Sequence, residues 1–354
     1  MRAFFLFVLS LTVALSVPNT DTFQEKMDLQ NAKSMFERAF GLYCSGETQD
    51  MIGAYHELID KFEHSTNSEI RLITSQAMSN LALAYAEVND TKAELNAHER
   101  IISKFINSND DGIELITSKS LLRKGYIAFA ANDTKGEIET AEKFIARFAD
   151  TDNENIKIAL AGVMTTLGRH YTLLDEYRKA IDISSKFMDK FGNYQDEYMQ
   201  NQILGNLMML STNYIKLGEF KSGFASYQKI IDIFKNSTNP DIIRIVGGAV
   251  TNKIEIEICN NIKPSFSDEN SKIAAKSEYS AFMYEFLQII YKAQNANQSA
   301  ALKSLKKKYA DFNFRRLNVN FDFSDLDNWQ KKLKSPEKNW IKECIDFLKE
   351  FYYK

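Results

Sequence analysis

The side chains best suited to acid–base chemistry lie near the C-terminal end of the 354-residue chain. This segment combines carboxylates with tryptophans: Asp322, Asp325, Asp327, Glu337, Glu343, Trp329 and Trp340. Paired carboxylates beside aromatic rings are what a glycan-cleaving site needs. The same residues also suit acidic helix starts and two tryptophans that cover the end of a helical array. The segment is therefore a candidate enzyme site, and both interpretations stay open.

The rest of the sequence contains no familiar catalytic arrangement. It has no glycine-rich phosphate loop, no HExxH, no GxSxG and no CxxC pair. Four histidines are spread along the chain: His56, His64, His98 and His170. A metal site shared by His56 and His98 is one interpretation, and surface or half-buried imidazoles are the other. We therefore expect no cofactor, no metal and no enzymatic activity.

The three cysteines do not form a disulfide framework. In an oxidising compartment Cys259 and Cys344 are the better-placed pair, because both lie in the C-terminal third, and Cys44 would then be a lone thiol. The alternative is that all three are buried as small hydrophobic side chains.

Residues 1–16 have the pattern of a secretory signal peptide. Arg2 precedes the apolar run AFFLFVLSLTVAL, which is too short for a comfortable membrane span, and Ala14-Leu15-Ser16 offers small residues to a signal peptidase. An uncleaved N-terminal anchor is the alternative. We expect an exported protein, periplasmic in a Gram-negative bacterium and otherwise secreted. In a eukaryotic source the four sequons would also matter: Asn89, Asn132, Asn236 and Asn297.

The composition bears on both the secondary structure of the chain and the class of its partner. The formal net charge is −3, which argues against nucleic acid as the main partner. The chain has 4 prolines and 14 glycines, which are few for its length and fit helices with short loops. No second apolar stretch is long enough to cross a bilayer.

A set of residue columns recurs every 43 residues, which is typical of a solenoid. The most regular column is Phe62, Phe105, Phe148, Phe191 and Phe234. Fifteen residues earlier stands an acid: Glu47, Asp90, Asp133, Glu176 and Glu219. Twenty-three residues earlier stands a small residue: Ala39, Ala82, Gly125, Gly168 and Ser211. An apolar residue marks each repeat start: Met27, Ile70, Ile113, Ile156, Met199 and Ile242.

Each column has a physical role in a pair of helices. The small residue allows two antiparallel helices to cross closely. The acid marks the start of the second helix, where free N–H groups and the helix dipole favour a carboxylate. The phenylalanine belongs to the buried stripe of that second helix. The repeat is therefore predicted to be two helices joined by a tight turn.

The best-matched residues resemble the tetratricopeptide (TPR) family. They are Leu167, Gly168, Tyr171, Asp175, Glu176, Tyr177, Ala180 and Phe187, and again Leu207, Leu210, Ser211, Tyr214, Gly218, Glu219, Phe220, Gly223, Tyr227 and Ile230. The repeat departs from the family in being longer than 34 residues, so its first helix must be longer. The resemblance implies an all-α, right-handed α-solenoid of two-helix repeats.

The predicted boundaries follow from the period. The solenoid occupies 17–262, with repeats at about 26–68, 69–111, 112–154, 155–197 and 198–240 and a degenerate sixth first helix from 241. A helical C-terminal cap occupies 263–354. We expect one long helix over Asp268–Gln294, a basic helix over Ala300–Tyr309, a strand or extended segment over Phe312–Phe323, and closing helices over Ser324–Leu333 and Pro336–Tyr353.

The resemblance further implies that the first helices line a concave groove that binds a partner. The predicted groove residues are Lys119, Leu122, Arg123, Tyr126, Phe129, Arg169, Met208 and Ile215. Aromatic and arginine side chains dominate interface energetics. An acidic or C-terminal peptide, or an apolar helix with acidic flanks, would suit this groove. The alternative is that the longer first helices tighten the coil and bury these residues.

Three functions are compatible with these patterns. The first is an exported scaffold or assembly factor that binds a partner protein or peptide, similar to the TPR proteins of bacterial envelopes. The second is a cell-envelope enzyme with its site in residues 312–344. The third is a membrane-surface role for the basic run Lys303–Lys308, although its apolar face is small. The repeats favour the first.

Overall fold

The computed structural model describes residues 23–293 and 298–311, and every regular element in these ranges is an α-helix. The chain divides into two compact units between Lys157 and Ile158. The helices are α1 (Phe23–Ser45), α2 (Thr48–Phe62), α3 (Ser68–Glu87), α4 (Thr91–Phe105), α5 (Asp111–Ala130), α6 (Thr134–Phe148), α7 (Glu154–Leu173), α8 (Tyr177–Phe191), α9 (Glu197–Lys216), α10 (Phe220–Phe234), α11 (Pro240–Cys259), α12 (Asp268–Ala274), α13 (Glu278–Ala293) and α14 (Ser299–Lys308). The predicted all-α fold is confirmed.

The helices follow the predicted period. The first helices α3, α5, α7, α9 and α11 each have 20 residues, and the second helices α2, α4, α6, α8 and α10 each have 15. Corresponding helices in these two series begin 43 residues apart. Consecutive helices pack against one another within each unit. The long first helix of a two-helix repeat is therefore confirmed.

A left-handed residue makes the turn inside each repeat. The residues at these turns have φ between 56° and 78°: Gly46, Asn89, Asn132, Asp175, Gly218 and Asn261. Glycine, asparagine and aspartate tolerate this backbone region best. Because these positions are also 43 residues apart, the turn is a fixed part of the repeat.

The predicted acid column stands at the start of the second helices, and aspartate is the acid whose side chain caps them. Asp90 accepts from the Ala93 N–H at 2.9 Å, and Asp133 accepts from the Gly136 N–H at the same distance. Glu47, Glu176 and Glu219 occupy the same position without a side-chain cap hydrogen bond. The shorter aspartate side chain therefore adds a cap that glutamate does not.

The core is built from the recurring columns. The five phenylalanines of the period are all buried: Phe62, Phe105, Phe148, Phe191 and Phe234. Of the repeat-start column, Ile70, Ile113, Ile156 and Met199 are at most 2% exposed, whereas Met27 on α1 is 53% exposed. The small column lies at close helix crossings, as at Gly168, where a Cβ would approach Ile183 of α8 to 3.3 Å.

In the second unit, two polar contacts connect the first helices α7 and α9. Asn206 donates from Nδ2 to Thr165 Oγ1 at 2.8 Å, and Asn213 donates to Thr172 Oγ1 at 2.9 Å. Each asparagine also donates to the carbonyl four residues earlier, and each threonine does the same on its own helix. Both asparagines are fully buried. These pairs fix the register of α7 against α9.

The C-terminal part of the described chain departs from one prediction. The long helix expected over residues 268–294 is two helices, α12 and α13, because residues 275–277 interrupt it. The break allows α13 to pack Ser280 against Gly247 of α11, where a Cβ would lie 2.4 Å from Ser280 Oγ. The expected basic helix is present as α14.

Several predictions fall outside the described residues. They are the signal peptide at 1–16, the sequon at Asn297 and the whole of 312–354. The last range contains the candidate enzyme residues Asp322, Asp325 and Asp327, the extended segment, the closing helices and Cys344, so the Cys259–Cys344 pairing remains a prediction.

Candidate functional site

The first helices of the first unit expose a group of large apolar side chains. Leu83 on α3 is 39% exposed, and on α5 Leu122, Tyr126 and Phe129 are 38%, 57% and 62% exposed. We call these four residues the aromatic patch. Helices α3 and α5 are in contact, so the patch spans two adjacent repeats.

The sequence of α5 explains why the aromatic rings stay outside the core. Every buried residue of α5 lies between Ile113 and Leu121, whereas α3 is buried as far as Ala84. The C-terminal half of α5 therefore presents Tyr126 and Phe129 to solvent on a backbone fixed by the N-terminal half. The longer first helix does not bury these rings.

The exposed rings are arranged with a cation. The ring centroids of Tyr126 and Phe129 lie 6.5 Å apart, and the guanidinium carbon of Arg123 lies 5.0 Å from the Tyr126 ring centroid. Both distances are within the range of favourable aromatic and cation–π contacts. Arg123, Tyr126 and Phe129 therefore lie together on one face of α5.

A buried carboxylate holds Arg123 in this position. Arg123 Nε donates to Glu94 Oε1 of α4 at 2.5 Å, and the Glu94 side chain is only 4% exposed. A buried charge is tolerated only when it is paired, so Arg123 and Glu94 depend on each other.

This pair occurs once among the repeats. At the position of Glu94 the other repeats carry Met51, Glu137, Ala180 and Gly223. Glu137 is the one other acid in this column, but its repeat neighbour at the position that corresponds to Arg123 is Thr166. Only the joint between α4 and α5 therefore combines the acid with an arginine.

His98 lies one helical turn after Glu94 and is also buried. Its Nε2 is 3.9 Å from Glu94 Oε1, and neither ring nitrogen has a hydrogen-bond partner. Burial lowers the pKa of His98 to about 4, with Glu94 opposing the shift and Arg123 adding to it. The imidazole is therefore neutral at pH 7, directly beside a buried ion pair.

Lys119 and Leu122 complete the predicted set in the first unit. Lys119 lies one turn before Arg123 on the exposed side of α5. Partial desolvation lowers the pKa of Lys119. The patch thus has two basic side chains on the same helix as its rings.

The other three predicted residues belong to the second unit. Arg169 on α7 is exposed, and Met208 and Ile215 on α9 are half-buried. Ile215 packs on its own helix pair, since a Cβ at Gly223 would lie 2.6 Å from Ile215 Cδ1.

A polar cavity of about 560 Å³ lies elsewhere in the first unit, between the start of α5, the end of α6 and the loop that follows α6. It is lined by Asp111, Glu114, Ala146, Arg147, Ala149, Asp150, Thr151, Asp152 and Asn153. Arg147 donates to the Ser108 carbonyl at 2.6 Å and to the Ile106 carbonyl, and it pairs with Glu114. In the ranges that the structure describes, no cluster of three or more metal-ligating side chains is present.

Sequence reasoning missed Glu94, and His98 is buried rather than the surface or half-buried imidazole that was expected. A signal for Glu94 was present, because an acid replaces the apolar or small residue that three other repeats carry in this column of the second helix. The pairing with Arg123 depends on the register between α4 and α5, which the sequence does not show.

The helix pairs, their tight turns and the small residues at their crossings recur together along the described chain. The repeat is TPR-like. No protein-family model and no curated protein matches the chain.

Several solved structures are similar to this chain. The nearly identical TPR-like repeats of a Podosopora anserina kinesin light chain share 12% identity, with 57% of this chain and 93% of that chain covered and a TM-score of 0.34. The apo form of RapI shares 14% identity, with 90% of this chain and 99% of that chain covered and a TM-score of 0.37. A Parabacteroides merdae TPR protein shares 9% identity, with 86% of this chain and 100% of that chain covered and a TM-score of 0.37.

None of the described TPR-like helices has the length and apolar content that a bilayer span requires.

Proposed function

We propose that this protein is an exported, non-catalytic scaffold whose aromatic patch binds a segment of a partner protein. The observation that carries the proposal is the exposure of Tyr126 and Phe129 on a helix that the core fixes in place. Because the surface is already ordered before binding, little conformational entropy is lost when a partner binds to it. Clustered exposed aromatic residues next to an arginine are typical of interaction sites.

The chemistry of the patch favours an apolar partner segment with acidic neighbours. Leu83, Leu122, Tyr126 and Phe129 offer an apolar surface, and Lys119 and Arg123 lie beside it on α5. Arg123 uses Nε for Glu94, which orients the guanidinium beneath the Tyr126 ring. A short helix or extended peptide with aliphatic or aromatic anchors and a nearby carboxylate fits these groups.

The test is crosslinking and pull-down from the native host with a Tyr126→Ala/Phe129→Ala variant. The matched control is Leu173→Ala in the second unit, since Leu173 is 74% exposed and lies outside the patch. We expect the partner to be lost in the patch variant and kept in the control. Because both rings are exposed, the variant should lose no more than about 1 kcal/mol of stability.

Equal folding of the two variants is checked by circular dichroism and urea unfolding. If the patch variant captures every partner of the wild type, the patch is not the binding surface. If Leu173→Ala alone loses the partner, the site belongs to the second unit.

A further inference from the structure

We propose that His98, Glu94 and Arg123 form an acid-responsive relay beneath the aromatic patch: a proton on His98 draws Glu94 away from Arg123 and releases Arg123 from the Tyr126 ring. The relay deepens the proposed function, because it would make partner binding depend on pH. Its chemistry is that of two cations competing for one carboxylate.

The competition follows from a single shared atom. Glu94 Oε1 accepts from Arg123 Nε at 2.5 Å, and the same oxygen lies 3.9 Å from His98 Nε2. A protonated imidazole gains a second N–H and a charge, and both need an acceptor in this buried place. The nearest carboxylate oxygen already accepts from Arg123, so a proton on His98 places a second cation in competition for the same carboxylate.

The electrostatic surroundings of His98 are simple. Glu94 acts on it from its own helix, and Arg123 acts on it from α5. Helix α3 also packs against α4, but its titratable residues Glu69, Arg71, Tyr85 and Glu87 do not contribute to the shift. Within the described chain, the charge state of His98 is therefore coupled to the one ion pair that orients Tyr126.

The preceding repeat shows that packing alone does not require these charges. One period earlier, Tyr55 stands at the position of His98, Asn80 at that of Arg123 and Met51 at that of Glu94. Asn80 Nδ2 donates directly to the Tyr55 hydroxyl at 2.9 Å. The same helix joint is thus built there from uncharged groups, and the charged version lies beneath the exposed rings.

The relay is tested on the full chain by NMR, without a partner. The Tyr126 ring and the His98 imidazole are followed by selective ¹³C labelling from pH 7 to about pH 3, on both sides of the His98 pKa of about 4, with far-UV circular dichroism recorded in parallel. We expect the Tyr126 signal to shift with the same midpoint as His98. The shift should be absent in His98→Leu and in the uncharged graft Glu94→Met/His98→Tyr/Arg123→Asn.

Three results would overturn the relay. One is a Tyr126 signal that stays constant while His98 titrates. Another is a Tyr126 shift that persists in His98→Leu or, should that variant not fold, in the uncharged graft. The third is a shift that only accompanies loss of helical signal, because the response would then be unfolding.

The same samples separate the relay from the proposed function. A captured partner should bind more weakly as the pH falls through the His98 midpoint, by up to about twofold at pH 4, where about half of the His98 side chains carry the proton. This loss should be absent in the uncharged graft. If Tyr126→Ala/Phe129→Ala keeps its partner while Tyr126 still titrates with His98 in the wild type, the proposed function fails and the relay remains.

Discussion

At the scale of single residues, Glu94 is a carboxylate buried at a cost in desolvation free energy. Its carboxylate is 4% exposed and pairs with Arg123, whose side chain is 32% exposed. Taking a charge out of water costs several kcal/mol unless a partner and hydrogen bonds compensate, and an apolar replacement is often no less stable. The apolar Met51 fills the same position one repeat earlier, so the stability of the fold does not require a carboxylate there. The presence of Glu94 is better explained by its contact with Arg123 beneath the aromatic patch.

The buried His98 predicts a pH-dependent stability. Its pKa falls from 6.5 to about 4 on folding, so below about pH 6.5 the unfolded chain takes up a proton that the folded chain accepts only near pH 4. Stability therefore falls as the pH is lowered through this window, by up to about 3 kcal/mol from this residue.

Urea unfolding at pH 7 and pH 4.5 measures the effect. In His98→Leu the difference in unfolding free energy between these pH values should shrink, whereas His64→Leu, at a side chain that is 87% exposed, should leave it unchanged. An undiminished difference in His98→Leu would show that other groups cause the acid response.

At the scale of helices, the two asparagine–threonine pairs determine how α7 meets α9. Asn206 and Asn213 lie seven residues apart and contact Thr165 and Thr172, which are also seven apart. A slip of α9 along α7 by one residue would break both pairs at once and leave buried amides without partners. Polar pairs of this kind select one register where apolar packing tolerates several.

A double-mutant cycle tests this role. We expect Asn206→Ala to cost about 2–3 kcal/mol, because it removes a buried hydrogen bond and leaves a small cavity. The coupling between Asn206→Ala and Thr165→Val should be about 1 kcal/mol. The same cycle for Asn213 and Thr172 serves as the internal comparison. Coupling free energies near zero in both cycles would show that these pairs do not fix the register of α9 against α7.

Most of the helix organisation was predictable, because it follows from columns that can be read along one chain. The period located the turns at Asn89 and Asn132 and the helix starts at Asp90 and Asp133. The interruption before α13 was not predictable, since Lys276-Ser277 contains neither proline nor glycine and the close approach of Ser280 to Gly247 of α11 is a contact between helices that are distant in sequence. The sequence left open whether Tyr126 and Phe129 are exposed or buried by a tighter coil, and the Glu94–Arg123 pair depends on contacts between helices that the sequence does not show.

At the scale of the whole molecule, α1 differs from the other first helices on the face that a preceding repeat would cover. Ile73, Ala77 and Leu81 of α3 are buried, and the corresponding residues of α1 are the exposed Gln30, Ser34 and Arg38. These are polar residues of the kind that a terminal repeat of a solenoid needs on its outer face.

Exchanging these residues should make the protein self-associate. The variant Gln30→Ile/Ser34→Ala/Arg38→Leu gives α1 the apolar face of α3, and an exposed apolar helix face of this size favours association. Sedimentation velocity should show a shift to dimers or larger species that depends on concentration. Control substitutions at Glu25 and Asp28 in the first turns of α1 should not change the sedimentation of the chain.

The left-handed turns lie a constant 43 residues apart, so the chain can change its length in steps of one whole repeat. Every turn, helix start and buried phenylalanine keeps its place if one complete repeat is duplicated or lost, because the new junction reproduces an existing one. An insertion of any other length within a helix displaces its apolar stripe from the neighbouring helices. Duplication and loss of whole repeats are therefore the tolerated route of evolution for this chain. Exchanging the repeat that contains Glu94 for a neighbour would nevertheless remove the partner of Arg123 and so alter the surface that α5 presents.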